Sequence, residues 1–507
     1  MNAMTLEDLD KEEKKEGKKL YDFQSAAIEQ IFERLDKFPQ RYSLLYQLPT
    51  GGGKTVIFSK IAKRYIKETG KKVLILTHRI ELCAQTSNML SEFDVPNKII
   101  NSKIKELGEQ ENFSCFVAMV ETLNNRLNDE MITIENLGLV IVDEAHYNSF
   151  RKLFRFFENV ILLGVTATPL SSNINLPMKD NYNELIVGNS IAELIDKGFL
   201  AKATTYSYDV ILSSLKVGIN GDYTVSSSEL LYNNFTMQEK LLHAYELQSK
   251  GKKTLIFNNG INTSKHVQRL FVEAGHEIMH LDNTNSEEER REILRWLKEK
   301  PDAIVTSVGI LTTGFDEPTV ETIILNRATR SLTLYHQMIG RGSRILPNKS
   351  AFTMIDLGNN ALRFGLWDAP VDWQEIFKDP DRYYEQLLSD DIIEKRFRYV
   401  MPPEVREKFS KSKNIEFDVK VEYEKVKREW LRPGVTIDRS IEQHAQMCVE
   451  NSETLQEARQ LAKLLDDDIQ FRIKDYSYCI AKSTPSYLSW LHEEYKRKLN
   501  SVLGKKF

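Results

Sequence analysis

Cysteine is scarce in this chain: only Cys83, Cys115, Cys448 and Cys479 occur in 507 residues, and no two form a CxxC pair. That spacing argues against a zinc site or a disulfide framework and points to a reducing compartment. Long apolar runs are also missing. No stretch of ~18 apolar residues is present, so a membrane span is not expected. The first 19 residues, MNAMTLEDLDKEEKKEGKK, are polar and lack the apolar core of a signal peptide, so a cytoplasmic location is expected. Charge of one sign is lacking too. A formal net charge of -4 excludes a strongly basic coat but is compatible with local phosphate contacts on a balanced surface. No repeat period is visible, and the histidines show no metal spacing.

What is present is ordinary for a soluble globular protein, with 41% hydrophobic and 28% charged residues. At ~150 residues per domain the length allows about three domains. Residues 1–19 read as a charged arm. From 20 to 200, short β-rich apolar runs (42–47, 73–77, 115–119, 139–142 and 160–166) alternate with helical patterns at 55–69 and 81–93. Near-continuous apolar strands separated by helices predict a parallel sheet covered on both faces. The alternation resumes over 236–367, with strands expected at 254–257, 303–307, 322–325 and 351–355 and helices at 263–274 and 287–299. Residues 201–235 are richer in Ser, Thr, Tyr and Asn and carry the turn signal Asn220-Gly221-Asp222. They read as a linker with a hairpin or irregular insertion. From 368 to 507 the chain is charged and helical in pattern, broken at Pro402-Pro403 and Pro433-Gly434. The predicted class is α/β, with two tandem parallel-sheet lobes followed by a mainly helical C-terminal domain.

The strongest local signal is LPTGGGKT at 48–55, directly after a strand and opening a helix. A phosphate-binding loop needs glycines so that its backbone amides can turn inward. Pro49, Thr50, Gly51, Gly52 and Gly53 would form the cradle, Lys54 would reach the β- and γ-phosphates, and Thr55 would hold Mg²⁺. The following helix adds its N-terminal dipole. The strict pattern has glycine where this chain has Leu48. The second signal is LGLVIVDEAH, which delivers two carboxylates at the C-terminal end of a buried strand. In an open α/β sheet that is where a metal-bound nucleotide sits. Asp143 fits the metal ligand, and Glu144 fits the base that orients the attacking water.

DEAH together with LPTGGGKT resembles the DEAD/DEAH-box group of superfamily 2 motors, which implies two tandem RecA-like lobes, and further motifs follow in the family's order. By that resemblance Gln24 reads adenine, and Arg79 in THRIELCAQT and Thr122 in VETL contact the nucleic-acid backbone. His146 and the TATP segment, with Thr166 and Thr168, couple hydrolysis to movement. In the second half TLIFNN around Phe257 and SVGILTTGFDEP from Ser307 imply nucleic-acid contacts at Phe257 and Ser307. Gly314 and Asp316 take the coupling positions at the nucleotide. HQMIGRGSR places Gln337, Arg341 and Arg344 at the γ-phosphate. Planar guanidinium donors neutralise charge that spreads over the phosphoryl oxygens, and arginines from the opposite lobe make hydrolysis depend on cleft closure. The implied substrate is ATP with Mg²⁺ as cofactor.

GILTTGFD with GRGSR and a short linker resembles the XPB-like DNA helicase branch, and restriction-type translocases share much of the pattern. RNA-directed DEAD-box proteins usually carry HRxGRxxR and a Ser-Ala-Thr motif III, where this chain has Gln337 and Thr166-Ala167-Thr168. DNA is therefore favoured over RNA as partner. An RNA helicase, a translocating subunit of a restriction or defence assembly, and a nucleotide-switched clamp are the rivals. In the tail, Tyr383, Tyr384, Phe397, Tyr399, Trp430, Tyr476, Tyr478 and Trp490 lie among basic residues. A helical domain whose aromatics fill its own core is the favoured reading, over a stacking platform for nucleic acid. Protein partners, if any, are expected through this domain.

Overall fold

The computed structural model describes residues 20–38, 40–101, 107–129, 131–173, 175–312, 316–480 and 484–507. The charged arm expected at 1–19 lies outside them. The first sheet has seven parallel strands: β1 (Ser43–Gln47), β2 (Lys72–Thr77), β3 (Asn97–Ile100), β4 (Cys115–Met119), β5 (Leu137–Asp143), β6 (Ile161–Thr166) and β7 (Glu184–Val187). Their order is β3-β4-β2-β5-β6-β1-β7. The central strands are apolar along nearly their whole length because helices cover both faces: Val73 to Leu76, Leu139 to Val142 and Leu163 are all fully buried. The principal helices of this lobe are α1 (Asp22–Lys37), α2 (Lys54–Thr69), α3 (Ile80–Glu92) and α4 (Val120–Asn128). Each expected strand and helix is found to within a residue or two. The edge strands β3 and β7 were not anticipated, since four residues of mixed polarity give too short a pattern.

The second sheet comprises β8 (Lys202–Ser207), β9 (Thr254–Asn258), β10 (Ile278–Leu281), β11 (Ile304–Ser307), β12 (Thr322–Asn326) and β13 (Ala351–Asp356). Its order is β10-β11-β9-β12-β13-β8, again parallel throughout. Here the linker expectation for 201–235 needs correction. β8 is the edge strand of this sheet, paired from Lys202↔Ala351 to Ser207↔Asp356. Its sequence KATTYS misleads because only one face is covered, so it lacks a continuous apolar run. The turn at Asn220-Gly221-Asp222 does close an antiparallel bridge between Val217 and Tyr223, with Gly221 at φ 81°. Helices α5 (Val225–Tyr232), α6 (Phe235–Gln248), α7 (Ile261–Glu273), α8 (Glu287–Glu299) and α9 (Leu332–Ile339) complete the lobe.

Beyond residue 368 the described residues are helical, the longest elements being α10 (Val419–Arg428), α11 (Val435–Glu450), α12 (Leu455–Lys463), α13 (Asp466–Ser477) and α14 (Pro485–Lys506). They enclose a separate core that includes Phe409, Ile441, Leu465, Tyr476 and Tyr495. Burial of each such side chain is worth roughly 1.5–3 kcal/mol, which is what orders this region. Tyr206 donates to Glu404 Oε1 at 3.2 Å and Lys474 donates to Asp209 Oδ1 at 2.8 Å, tying it to the second lobe. No described helix is long and apolar enough to cross a membrane.

A buried polar cluster pins α11, α13 and α14 together. Arg472 grips Asp468 with two hydrogen bonds, Nε to Oδ1 at 3.1 Å and Nη2 to Oδ2 at 2.8 Å. His444 lies between Asp468 Oδ2 at 3.0 Å and the Tyr495 hydroxyl at 2.8 Å. Burial, reinforced by Arg472, pushes the His444 imidazole down to about 4. The unfolded chain, with an ordinary value near ~6.5, therefore binds the extra proton. This part of the stability is complete above that pH and drains as pH falls toward 4. Urea midpoints are expected to fall steadily from pH 7 to pH 5, and less steeply in His444→Gln. An equal slope in the variant would remove His444 from the account.

Candidate active site

β6 lies between β1 and β5, so Gln47, Thr166 and Asp143 end side by side at one edge of the first sheet. The glycine-rich loop leaves β1 with Leu48 N donating to Thr166 O at 3.0 Å. Gly51 (φ 95°) and Gly53 (φ 85°) both sit in the left-handed region. A Cβ on Gly51 would stand 2.9 Å from Arg344 Nη1, and one on Gly53 would stand 2.5 Å from Gln24 Nε2. Only glycine satisfies both the dihedral and the space. Buried Gln24 braces the loop, donating to Gly52 O at 3.3 Å while its Oε1 accepts from Tyr21 N at 3.1 Å. Helix α2 begins at Lys54 with a glycine N-cap and no side-chain cap. Its first-turn amides therefore present their dipole end to the cleft without an acceptor side chain from the cap.

The two carboxylates follow β5. Glu144 takes φ 52°, a strained value for a non-glycine residue, and its amide donates to Asp143 Oδ1 at 3.0 Å. Both residues are buried, and Glu144 Oε2 accepts no hydrogen bond. Burial works to raise the Glu144 carboxyl, but nearby positive charge, Lys54 foremost and Arg341 with it, outweighs it and holds it below its usual value. Burial and the neighbouring Glu144 charge instead raise Asp143, with Lys54 opposing. A buried carboxylate that disfavours its own charge is a hard-oxygen donor whose charge a bound cation would relieve. No group of three or more His, Cys, Asp or Glu residues that could hold a metal occurs among the described residues.

His146 links the strand ends to the second lobe. Its Nε2 lies 3.1 Å from Gln337 Nε2, and its Nδ1 lies 2.9 Å from Thr166 Oγ1. The Gln337 amide nitrogen can only donate, so His146 Nε2 accepts and the ring proton sits on Nδ1. Burial pushes this imidazole down to about 4, in keeping with a neutral ring. Thr166 Oγ1 passes its own proton to Thr168 O at 3.1 Å and accepts from Thr168 N at 3.2 Å. The Tyr147 ring lies tilted against those of both His146 and His78, with centroids 4.3 and 4.2 Å away. The involvement of Tyr147 and His78 was not foreseen, and no local sequence signal marks it.

The arginines arrive from the turn after α9. A Cβ on Gly340 would stand 2.7 Å from Thr50 Cβ, so this turn lies directly against the glycine-rich loop. Arg341 is buried, donating from Nη2 to Thr312 O at 2.8 Å and from Nε to Gln337 O at 3.4 Å. Burial, and then Arg344, bring it down to about 10, while Glu144 pulls the other way. It stays charged at neutral pH. Asp316 holds Arg344 through Nε at 2.7 Å. Arg79, from the first lobe, donates to the carbonyls of Ile310 at 3.0 Å and Gly309 at 3.2 Å in the second.

Lys54, Thr55, Asp143, Glu144, His146, Thr166, Thr168, Gln337, Arg341 and Arg344 are thus gathered at one cleft. Gly314 lies outside the described residues. Thr122 is half-buried in the first turn of α4. Two expectations are overturned. Phe257 and Ser307 are each only 1% exposed, inside β9 and at the end of β11, and neither presents a side chain to nucleic acid. Phe257 alternates into the helix-covered face of a central strand, where an aromatic is wanted for packing.

Two lobes closing on buried acids and arginines define a nucleotide-driven motor of the helicase type. The chain matches the family profile described as type III restriction enzyme, res subunit, over residues 17–171, and the helicase conserved C-terminal domain over 235–346. It is 30% identical over 338 residues to a 51.5 kDa protein of a Lactococcus phage, covering 66% of this chain and 70% of that one. It is also 30% identical over 375 residues to the putative ATP-dependent helicase IRC3 of Saccharomyces cerevisiae, covering 69% of this chain and 53% of the yeast protein. Among solved structures, a fragment of a putative HsdR subunit of a type I restriction enzyme from Vibrio vulnificus shares the fold. Its TM-score is 0.55 at 20% identity, over 69% of this chain and 67% of that one. The chain belongs to the superfamily 2 helicases, the ATP-dependent helicase and restriction-type translocase family. It spans only about half the length of the yeast relative.

The revised place of Phe257 has a measurable consequence. Phe257→Ala is expected to destabilise the protein by about 3–5 kcal/mol, read as a lowered urea midpoint. Nucleic-acid affinity of the folded fraction should stay unchanged. A selective loss of affinity at full stability would restore the residue to the interface.

Proposed function

We propose that the chain is a DEAH-type ATPase that moves along DNA, of the XPB-like or restriction-type branch and cytoplasmic in location. The observation that carries this reading is the buried apposition of Glu144 from one lobe and Arg341 from the other across the glycine-rich loop. In this reading the amides from Gly51 to Thr55 and the Lys54 ammonium bind the β- and γ-phosphates of ATP, and Gln24 lies at the adenine end. Thr55 and Asp143 would hold Mg²⁺, which would supply neutralisation of phosphate charge. Glu144, kept ionised and with Oε2 unpartnered, orients a water and accepts its proton. Arg341 and Arg344 donate to the transferring phosphoryl oxygens from the second lobe, where a water-poor cleft makes such donors most effective. Once the γ-phosphate departs, the guanidinium groups lose their anion and the lobes lose the charge that held them shut. The Gln337–His146–Thr166 chain ties that opening to the strand ends of the first lobe.

The choice of DNA rests on the resemblance of Gln337 and Thr166-Ala167-Thr168 to the DNA-directed branches. Backbone grip of this kind is weakly sequence-specific and weakens steeply with salt. The res-subunit match over residues 17–171 favours a second reading, a translocating subunit that follows duplex without separating strands.

The test is steady-state ATPase without nucleic acid, with single- and double-stranded DNA, and with RNA. Lys54→Ala should abolish turnover, Glu144→Gln should bind ATP without release, and Arg341→Ala should lower kcat by roughly 10²–10³. Arg341→Lys should not rescue it, because lysine lacks the planar fork. Wild-type turnover in Lys54→Ala or Glu144→Gln would refute the site, and stimulation by RNA alone would refute the substrate.

A further inference from the structure

The helical domain carries an aromatic side chain in a place where packing gives no reason for one. Trp430 is 95% exposed and sits at φ 56°, in the left-handed region. It follows helix α10, where Trp430 N donates to Lys427 O at 3.2 Å and Leu431 N donates to Val426 O at 3.1 Å. That bond pattern is the helix-ending turn whose left-handed position is normally glycine. A tryptophan there incurs steric strain and hydration of a large apolar surface, and neither is returned by burial.

The neighbouring charge is equally specific. Glu422 is engaged by Arg439 at 2.7 Å and Lys425 at 3.0 Å, and Glu429 is engaged by Arg439 at 2.5 Å. Among the described residues Lys427, Arg428 and Arg432 have no acidic partner, and all three are exposed. Beside them a groove of about 450 Å³ is walled by Tyr423, Trp430, Leu431 and Pro433, with Glu424 its one acidic lining residue. Three unpaired cations beside one unpaired acid stand out on a chain of net charge -4.

We propose that Trp430, with Lys427, Arg428 and Arg432, forms a platform for single-stranded nucleic acid, on which an unstacked base lies against the indole while the cations follow the phosphates. An exposed π-face accepts any base, and paired cations would have no charge left for a backbone. Duplex is disfavoured because its bases are already stacked. The proposal deepens the motor reading, on which it rests for the class of ligand, by giving the helical domain a hold on the strand outside the two lobes.

Titration of the full chain with an oligodeoxythymidylate, followed by tryptophan emission, tests it. The wild type should quench. Trp430→Phe should lose the quench and keep its affinity within about twofold, since phenylalanine still stacks. Trp430→Gly should bind roughly tenfold more weakly, with a thermal midpoint no lower than the wild type because glycine relieves the strained dihedral. Its ATPase without nucleic acid should be unchanged. Joint replacement of Lys427, Arg428 and Arg432 by alanine should flatten the log K against log salt slope by about 2. Full quenching in Trp430→Phe, unweakened binding by Trp430→Gly, or equal quenching by duplex DNA would overturn the platform. Equal quenching by polyglutamate would assign the surface to acidic polypeptides instead. Quenching through Trp430 without any nucleic-acid stimulation of ATPase would sink the motor and leave the platform. Stimulated ATPase with no Trp430 response would do the reverse.

Discussion

Everything at the cleft depends on keeping unlike charges buried together across the boundary between the two lobes. Glu144 and Asp143 lie on the first lobe and Arg341 on the second, all poorly solvated. Neither set is comfortable alone, because a buried ion without a counter-charge is costly. The lobes are also joined by polar contacts, such as Arg79 to two carbonyls, Gln337 to His146 and Ala201 N to Ser343 O at 2.8 Å, and by one apolar cluster that runs from the first lobe into the second.

The neutral state of His146 follows from the same burial. A charged imidazole at this position would carry protons on both nitrogens and could not accept from Gln337. Lys54 also disfavours a second cation nearby, although Glu144 acts the other way. The ring is thereby kept as a one-way link, accepting from the second lobe and donating to Thr166. That link ends at the strand end that separates the glycine-rich loop from the acidic pair. Tyr147 and His78 extend that contact toward Arg79.

Much of the fold was legible because buried parallel strands are written as apolar runs, as in Leu139 to Val142. The strands that escaped, β3, β7, β8 and β10, are short and either lie at sheet edges or carry polar residues such as His280. Half-covered strands impose a weaker pattern, and KATTYS was indistinguishable from a linker until its partner Ala351–Asp356 was placed beside it. Of the site, the residues whose chemistry needs a fixed spacing were readable from their order, including the glycine loop, the acidic pair and the arginine turn. Phe257 and Ser307 were misplaced because a motif gives a residue its position in the chain but not the side of the strand it faces.

The sequence alone determined the parts whose identity is local: glycines where the loop must turn with positive φ, carboxylates at a strand's end, and arginines spaced along one turn. It also determined that two α/β units and a helical tail would form, since periodicity and apolar content are properties of short stretches. Only the tertiary structure decided which groups share a dielectric. The burial that keeps His146 neutral, the pairing of Arg344 with Asp316, the pinning of His444 by Asp468 and Tyr495, and the exposure of Trp430 all arise between segments far apart in the chain. Solvation and charge pairing depend on what is packed against a side chain, and no local pattern carries that information.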